Sequence, residues 1–212
     1  LSLSFFLSFF LSFLSLSLFL SFFLSFFLTF FFFDRVFLCC PGWSRVTALL
    51  LKEQGYDVHA LFMKNWDDDD GSPYCSAKED FMDAVFIAEQ LEIPLNQISF
   101  SREYKERVFS YFIKELEEGR TPNPDILCNK EIKFKEFYNY ASHEEFDFIA
   151  TGHYAQNINN ELYKGLDNSK DQSYFLHAID NHTLKKTLFP LGQLTKKEVR
   201  NIARDNNLIT SE

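Results

Sequence analysis

One cysteine lies in a loop sequence whose neighbours could support nucleophilic chemistry. Cys128 follows Asn123, Pro124 and Asp125 in the stretch TPNPDILCN, where two prolines favour a rigid, extended loop. Asp125 can cap a helix that begins beside Ile126. Cys128 would then lie in the first turn, where free N–H groups and the positive end of the helix dipole stabilise a thiolate. The pattern indicates a candidate nucleophile with a carboxylate nearby that could move a proton.

The same spacing also permits a structural interpretation of Cys128. A single cysteine is more often a buried residue that only packs, and repulsion from Asp125 opposes thiolate formation. Spacing alone therefore favours the structural interpretation.

The segments around this loop alternate between strand-like and helix-like patterns. Strands are predicted at 57–63, 98–100 and 146–150, and amphipathic helices at 46–54, 77–91 and 101–118. Ser76 and Glu79 form a capping-box pattern before the second helix, and Gly55 and Gly119 are natural stops. The alternation predicts βαβ units, and hence an α/β fold in which a parallel sheet carries helices on both faces.

Ligands of such sheets bind at the carboxyl ends of the strands. Two predicted strand ends are Met63-Lys-Asn-Trp66 and Thr151-Gly-His-Tyr154. Glycine in the second end permits close approach of a ligand, although a plain tight turn explains it equally well. The adjacent carboxylates of 67–70 point in different directions, which favours a solvated acidic loop over a metal site.

Composition restricts the partners and the compartment. The formal net charge of -9 argues against a protein that coats nucleic acid, but a local basic patch near the C-terminal end could meet phosphates. The patch comprises Lys185, Lys186, Lys196, Lys197, Arg200 and Arg204. The four cysteines show neither a CxxC spacing nor the density of a disulfide scaffold, so we expect a reduced, cytoplasmic setting, with the mitochondrion as the alternative.

The first 47 residues differ from the rest of the chain. Residues 1–33 consist of Leu, Ser and Phe apart from Thr29, and all three can be encoded by pyrimidine-only codons. The run is long enough to span a bilayer, but it lacks a basic n-region and a small-residue cleavage site. Residues 34–44 resemble the translation of an interspersed repeat. We predict that 1–47 is a low-complexity, repeat-derived segment outside the native fold, with a membrane anchor as the alternative.

Five motifs give the remainder a family resemblance. They are LFMKNW, TPNPDILCNKEIKF, ATGHYA, KDQSYFL and FPLGQLTKKEVR, and in order and spacing they resemble the bacterial-type tRNA 2-thiouridylases. The resemblance implies an ATP-pyrophosphatase sheet of the adenine-nucleotide alpha-hydrolase type, incomplete at both ends. It divides the chain into a partial ATP-pyrophosphatase domain at 48–165 and the start of a central tRNA-binding domain at 166–212.

The resemblance also implies a function and a set of site residues. The family adenylates the wobble uridine of tRNA with ATP and Mg²⁺ and then transfers a persulfide sulfur, which a relay protein delivers. No membrane partner is implied. Carried over, Cys128 is the nucleophile and Asp125 acts beside it in catalysis. Asn123, Pro124 and Asp125 lie by the target base, Lys170, Asp171 and Gln172 contact tRNA, and Met63 and Gly152 line the adenine-nucleotide site.

Some family features do not match. Pro41-Gly-Trp-Ser44 stands where the phosphate-binding SGGxDS loop is expected, and the second cysteine and the β-barrel are expected beyond Glu212. We therefore expect the family's function without activity of this chain by itself. Two alternatives stay open: a non-catalytic tRNA-binding remnant, and another ligase of the ATP-pyrophosphatase type. Ligases of that type lack a cysteine in a TPNPDxxCN context.

Overall fold

The computed structural model describes residues 34–40, 44–66 and 77–208, which belong to one compact unit, Asp34–Glu212. The strands of this part are β1 (Arg35–Cys40), β2 (Asp57–Lys64), β3 (Leu95–Ser99), β4 (Phe148–Ala150), β5 (Ala155–Ile158), β6 (Glu161–Lys164) and β7 (Thr187–Leu188). Five of them form a sheet in the order β3-β2-β1-β4-β7, and every neighbouring pair is parallel. β5 and β6 form an antiparallel pair of their own.

The helices fill the connections between these strands. They are α1 (Ser44–Glu53), α2 (Ala77–Leu91), α3 (Ser101–Tyr104), α4 (Ser110–Glu117), α5 (Pro124–Leu127), α6 (Phe137–His143), α7 (Asn181–Lys185) and α8 (Lys196–Asp205). A π-helical segment, Lys105–Phe109, joins α3 to α4, and a second one, Cys128–Glu136, joins α5 to α6. A 3₁₀ turn covers Ser173–Leu176.

Both faces of the sheet are covered, because successive residues of β1 point to opposite sides. Val36 and Leu38 belong to one buried cluster, together with residues of α1 and α8. Phe37 and Cys39 belong to another, together with residues of the second π-helical segment and α6. The predicted α/β fold, a parallel sheet with helices on both faces, is confirmed.

Two glycines have roles that their backbone positions explain. α1 ends at Glu53, and Gly55 follows with a φ of +89°, a conformation that favours glycine, so the predicted stop is confirmed. Gly192 packs so closely that an added Cβ would lie 1.9 Å from the carbonyl oxygen of Ala155. The FPLG sequence therefore presses the chain after β7 against β5.

The structure differs from the expected domain division at two places. Residues 35–40, which we assigned to the repeat-derived segment, form the central strand, because VFLCC is a short apolar run and Val36 to Cys39 are all at most 2% exposed. Residues after 166 form no separate unit, since Leu191, Val199 and Ala203 share a core cluster with Val36 and Ala150. The origin of 1–33 stays a prediction, as those residues lie outside the described part.

Two further expectations fall wholly or partly outside the described residues. Ser76, half of the capping-box pattern, and the acidic run 67–70 both precede the described start of α2. Within the described ranges, no helix has the length and hydropathy needed to cross a bilayer.

Candidate functional site

The carboxyl edge of the sheet brings two of the predicted site residues to either side of β1. Met63 is the penultimate residue of β2, and Gly152 follows the end of β4 by two residues. Both strands pair in parallel with β1, with Cys40 opposite Phe62 and Leu38 opposite Ala150. This edge is where the sheet type binds ligands. The connection from β1 to α1, where a phosphate loop would lie, is residues 41–43 and is outside the described part.

A polar group beside Met63 suits an adenine ring. The Oδ1 atom of Asn65 is buried and accepts no hydrogen bond from the described residues. A buried acceptor without a donor is costly, and the exocyclic amino group of adenine is a donor. The residues at the end of β2 therefore fit the base of an adenine nucleotide.

The cysteine loop has a different helix start from the one predicted. Asn123 is the N-cap residue, and its Oδ1 accepts hydrogen bonds from the backbone N–H groups of Asp125, at 3.0 Å, and Ile126, at 3.4 Å. Pro124 occupies the first helical position, where its missing N–H has no effect. The prediction that Asp125 caps this helix is wrong, because the asparagine two residues earlier already satisfies those donors.

Cys128 consequently lies beyond the first turn. Its backbone N–H donates to the carbonyl oxygens of Pro124 and Asp125, so it offers no free donor to an anion. The side chain is half-buried, and this burial raises the pKa of the thiol. The positive charge of Lys133 lowers the pKa and the carboxylate of Asp125 raises it further, but burial has the largest effect. The expected stabilisation of a thiolate by the helix N-terminus is therefore wrong for this conformation.

Cys39 and Lys133, which the sequence did not single out, lie near Cys128, and His153 lies near Lys133. Cys39 lies in the buried cluster against which both Cys128 and Met63 pack, and burial raises the pKa of its thiol to about 11. His153 hydrogen-bonds to the Thr151 hydroxyl at 2.9 Å through Nδ1, and burial, with help from Lys133, lowers its pKa to about 3. Cys128 and Met63 thus lie on one face of the sheet. Lys133 belongs to one of the five family motifs, but only its three-dimensional neighbours give it a role.

The loop predicted to contact tRNA is held by its own side chains. The carboxylate of Asp171 accepts hydrogen bonds from the backbone N–H groups of Gly165, at 3.0 Å, and Ser173, at 3.1 Å. Desolvation raises the pKa of the Asp171 carboxyl, but these hydrogen bonds outweigh it, so the pKa is lowered. Gln172 accepts from the N–H of Tyr154 at 3.1 Å through Oε1. Both residues therefore position the loop within the protein.

This loop also connects to the cysteine helix and borders a cavity. Asn129, next to Cys128, donates to the carbonyl oxygen of Phe175 at 3.4 Å. A cavity of about 300 Å³ lies beside the loop, lined by Tyr154, Ser169, Lys170, Asp171, Gln172, Tyr174, Phe175 and Lys196.

The predicted basic patch is only partly brought together. Desolvation lowers the pKa of the Lys196 ammonium group, and the positive charges of Lys170 and Arg200 nearby lower it further. Lys186 instead lies over the ring of Phe148, 5.1 Å from its centroid. A positive surface at this cavity therefore comprises Lys170, Lys196 and Arg200. Among the described residues, no group of three or more His, Cys, Asp or Glu side chains could hold a metal ion.

Comparisons with known proteins agree with this geometry. The family model described as the tRNA methyl transferase HUP domain matches residues 38–212. The chain is 56% identical over 172 residues to the tRNA-specific 2-thiouridylase MnmA of Nitrosomonas eutropha, covering 79% of this chain and 48% of that protein. It is 53% identical over 174 residues to the MnmA of Streptococcus thermophilus, covering 80% and 47%. The chain thus spans about half the length of the curated relatives it matches.

A solved structure shares the fold. The U34-tRNA thiolase NcsA from Methanococcus maripaludis, described with its [4Fe-4S] cluster, superposes with a TM-score of 0.54 at 18% identity. The match covers 84% of this chain and 58% of that one, and it supports the fold alone.

The family match over residues 38–212 confirms the resemblance that the motifs predicted. This chain belongs to the family described as the tRNA methyl transferase HUP domain, and it is similar to the tRNA-specific 2-thiouridylases.

Proposed function

We propose that this protein acts in the 2-thiolation of the wobble uridine of tRNA, with Cys128 as the nucleophile. The observation that carries the proposal is the placement of the cysteine loop. The helix that Asn123 caps puts Cys128 against a buried cluster on one face of the sheet, and Met63 at the end of β2 packs against the same cluster. A sulfur nucleophile thus shares a face with the strand ends where a nucleotide would bind.

The residues before Cys128 would receive the target base. Asn123 and Asp125 are exposed, Pro124 is half-buried, and the N-cap hydrogen bonds hold all three in one conformation. An exposed carboxylate at Asp125 could accept or return a proton as the base reacts. A preorganised loop of this kind reduces the entropic cost of aligning the base with the sulfur.

Met63 and Gly152 would line the site of ATP, with Mg²⁺ held mainly by its phosphates. ATP supplies one chemical change: it converts the uridine 2-oxygen into the leaving group AMP, which a persulfide sulfur can displace. The described residues fit the adenine side through the buried Oδ1 of Asn65, which has no hydrogen-bond donor among them. Their contribution is to bind the base and to keep it beside the face that carries Cys128.

The tRNA backbone would lie across the cavity beside the 170–172 loop. Lys170, Lys196 and Arg200 supply positive charge there. Asp171 and Gln172 would act by fixing the loop, since their oxygens already accept backbone hydrogen bonds. The sulfur itself would come from a persulfide-relay protein, as the family resemblance implies.

The thiolation proposal can be tested with the protein, a tRNA transcript, ATP, Mg²⁺ and sulfide. The RNA is digested to nucleosides, and 2-thiouridine is measured by mass spectrometry. The matched comparison is a variant that carries an SGGxDS sequence after β1. We expect 2-thiouridine with that variant. If neither protein forms it although both bind ATP and tRNA, the proposal is wrong.

A second candidate is tRNA binding without catalysis. It is favoured by Pro41-Gly-Trp-Ser44, which lacks the Gly-Gly pair and the aspartate of the phosphate loop. Backbone N–H groups of such glycine-rich loops cradle phosphates. Calorimetric titration with ATP separates the candidates: Mg²⁺-dependent binding contradicts the binding-only function, and its absence alongside measurable tRNA affinity supports it.

A further inference from the structure

The surroundings of Cys128 raise the question of what stabilises its anion. The helix start does not, because the Cys128 N–H already donates to Pro124 and Asp125. Burial and the carboxylate of Asp125 both oppose ionisation of the thiol. A reactive thiolate or persulfide at this position therefore needs a cation beside it.

The winding of the chain after Cys128 supplies a neighbour five residues further on. Cys128 is the first residue of the second π-helical segment, whose hydrogen bonds run from residue i to residue i+5, as in the bond from the Phe137 N–H to the Ile132 oxygen. This repeat puts Lys133 next to Cys128 along the segment. In an α-helix, residues five apart lie about 140° from each other around the axis and do not meet.

The charges around the Cys128 sulfur make Lys133 its cationic partner. Lys133 is half-buried, and its charge acts on both Cys128 and Cys39. Asp125 acts on Cys128 with the opposite sign, and the Cys39 thiol is buried below. The phenol of Tyr104, also close to Cys128, carries no charge, because burial raises its pKa.

The histidine of this cluster stays neutral and cannot replace the lysine. His153 lies near Lys133 and is hydrogen-bonded to the Thr151 hydroxyl. Burial lowers the pKa of its imidazole to about 3, and the positive charge of Lys133 contributes to this lowering. Its ring also lies 6.1 Å from that of Phe134, which confines it on the apolar side.

We propose that Lys133 is a positioning residue for the nucleophile: the π-helical winding brings its side chain onto the turn next to Cys128, where its positive charge favours the anionic sulfur against burial and Asp125. Its use in sulfur transfer rests on the proposed function, whereas the stabilisation of the anion does not. No bond is made or broken by Lys133 itself.

The test is the pH profile of alkylation of Cys128 in the full chain. Isotope-coded iodoacetamide is applied at a series of pH values, and the peptide that contains Cys128 is quantified by mass spectrometry, which separates it from the other cysteines. Lys133→Met keeps the aliphatic stem without the charge, Lys133→Arg keeps the charge, and Lys130→Met is the control. Lys130 is exposed on the same segment and pairs only loosely with Glu131, at 3.9 Å.

We expect Lys133→Met to move the midpoint of the profile upward by about one pH unit, the usual lower bound for an adjacent opposite charge. Lys133→Arg should stay near the wild type, and Lys130→Met should not move. Coincident profiles for wild type and Lys133→Met, or an equal shift in Lys130→Met, would overturn the proposal.

The Asp125→Asn variant, which lacks the opposing carboxylate, decides the matter if Lys133→Met fails to fold. Its midpoint should rise between low and high salt, because screening then weakens only the attraction of the cation for the thiolate. A midpoint that salt leaves unchanged overturns the proposal. The assay uses neither RNA nor ATP, so its failure and the failure of the thiolation function are separate results.

Discussion

The cysteine loop and the edge of the sheet that we propose binds the nucleotide, here called the nucleotide edge, differ in how many of the family's motif residues the chain carries. The cysteine loop has its cap at Asn123, its sulfur at Cys128 and a cation at Lys133. The nucleotide edge keeps the strand ends at Met63 and Gly152, but its connecting sequence Pro41-Gly-Trp-Ser44 lacks the residues that bind phosphates in the family.

This difference shows that the frame and the chemistry of a site depend on different residues. The stretch of β1 from Val36 to Cys39 is buried at the centre of the sheet because its side chains are apolar, and apolar residues of many kinds would satisfy that position. Phosphate binding needs particular glycines in a short loop. A sheet can therefore keep its geometry while the sequence of one loop at its edge differs from that of the family.

Removing the sulfur at Cys128 should have the largest effect. In a chain with an SGGxDS loop, Cys128→Ser should abolish 2-thiouridine formation and leave tRNA affinity nearly unchanged, because a hydroxyl is similar in size but a far weaker nucleophile. Mass spectrometry of the nucleosides and a filter-binding assay measure the two properties. Thiolated tRNA from the variant would refute the role of Cys128.

A substitution in the packing that supports the sheet should lower the stability of the whole fold. Gly192→Ala places a Cβ within 1.9 Å of the Ala155 carbonyl oxygen, a backbone atom that cannot easily move, so we expect a loss of about 3 kcal/mol in the free energy of unfolding. Urea denaturation measures it. The control is Gly55→Ala, where nothing lies within 4 Å and only the positive φ is strained. Its loss should be about 1 kcal/mol, and equal losses would contradict the close packing at Gly192.

The positive surface should affect RNA binding alone. Replacing Lys170 and Lys196 by alanine should weaken tRNA binding and reduce the slope of log affinity against log salt by about 0.7–0.9 for each phosphate that is no longer neutralised. Fluorescence anisotropy at several salt concentrations provides the slope. The control is Lys185→Ala, on α7. A slope that the double variant leaves unchanged removes this surface from the tRNA interface.

The smallest effect is expected at the cap of the cysteine helix. Asn123→Ala leaves the N–H groups of Asp125 and Ile126 without their acceptor and should cost about 1 kcal/mol of stability. Thr195→Ala removes the capping box of α8 at a similar cost. Only the first variant should change the alkylation rate of Cys128. The same change in both would mean that the cap does not position the sulfur.

The sequence predicted the frame better than it predicted the site. The periodicity of apolar residues identified the alternation of strands and helices, because a sheet covered on both faces needs apolar strands and helices with one apolar side. It misplaced the cap, since both Asn123 and Asp125 have the side chain for it and only the chain path decides between them. It did not reveal Lys133, because residues five apart lie on the same side only in a π-helical segment.

Long-range contacts explain the other differences. Asp171 and Gln172 are predicted to contact tRNA, and the sequence did not reveal that their oxygens also accept hydrogen bonds from Gly165 and Tyr154. No local pattern announces these partners. The apolar run of β1 was assigned to the repeat-derived segment, because composition does not say which short run fills the centre of a sheet.

The central claim, that the loop around Cys128 faces the wobble base of tRNA, can be tested most directly by disulfide trapping. An anticodon stem–loop RNA carrying 2-thiouridine at the wobble position, activated as a mixed disulfide, is incubated with the protein, and the crosslinked peptide is mapped by mass spectrometry. We predict a crosslink at Cys128 that is lost in Cys128→Ser and that an unmodified stem–loop RNA competes away. Bound RNA that crosslinks to another cysteine, or to none, would contradict the account.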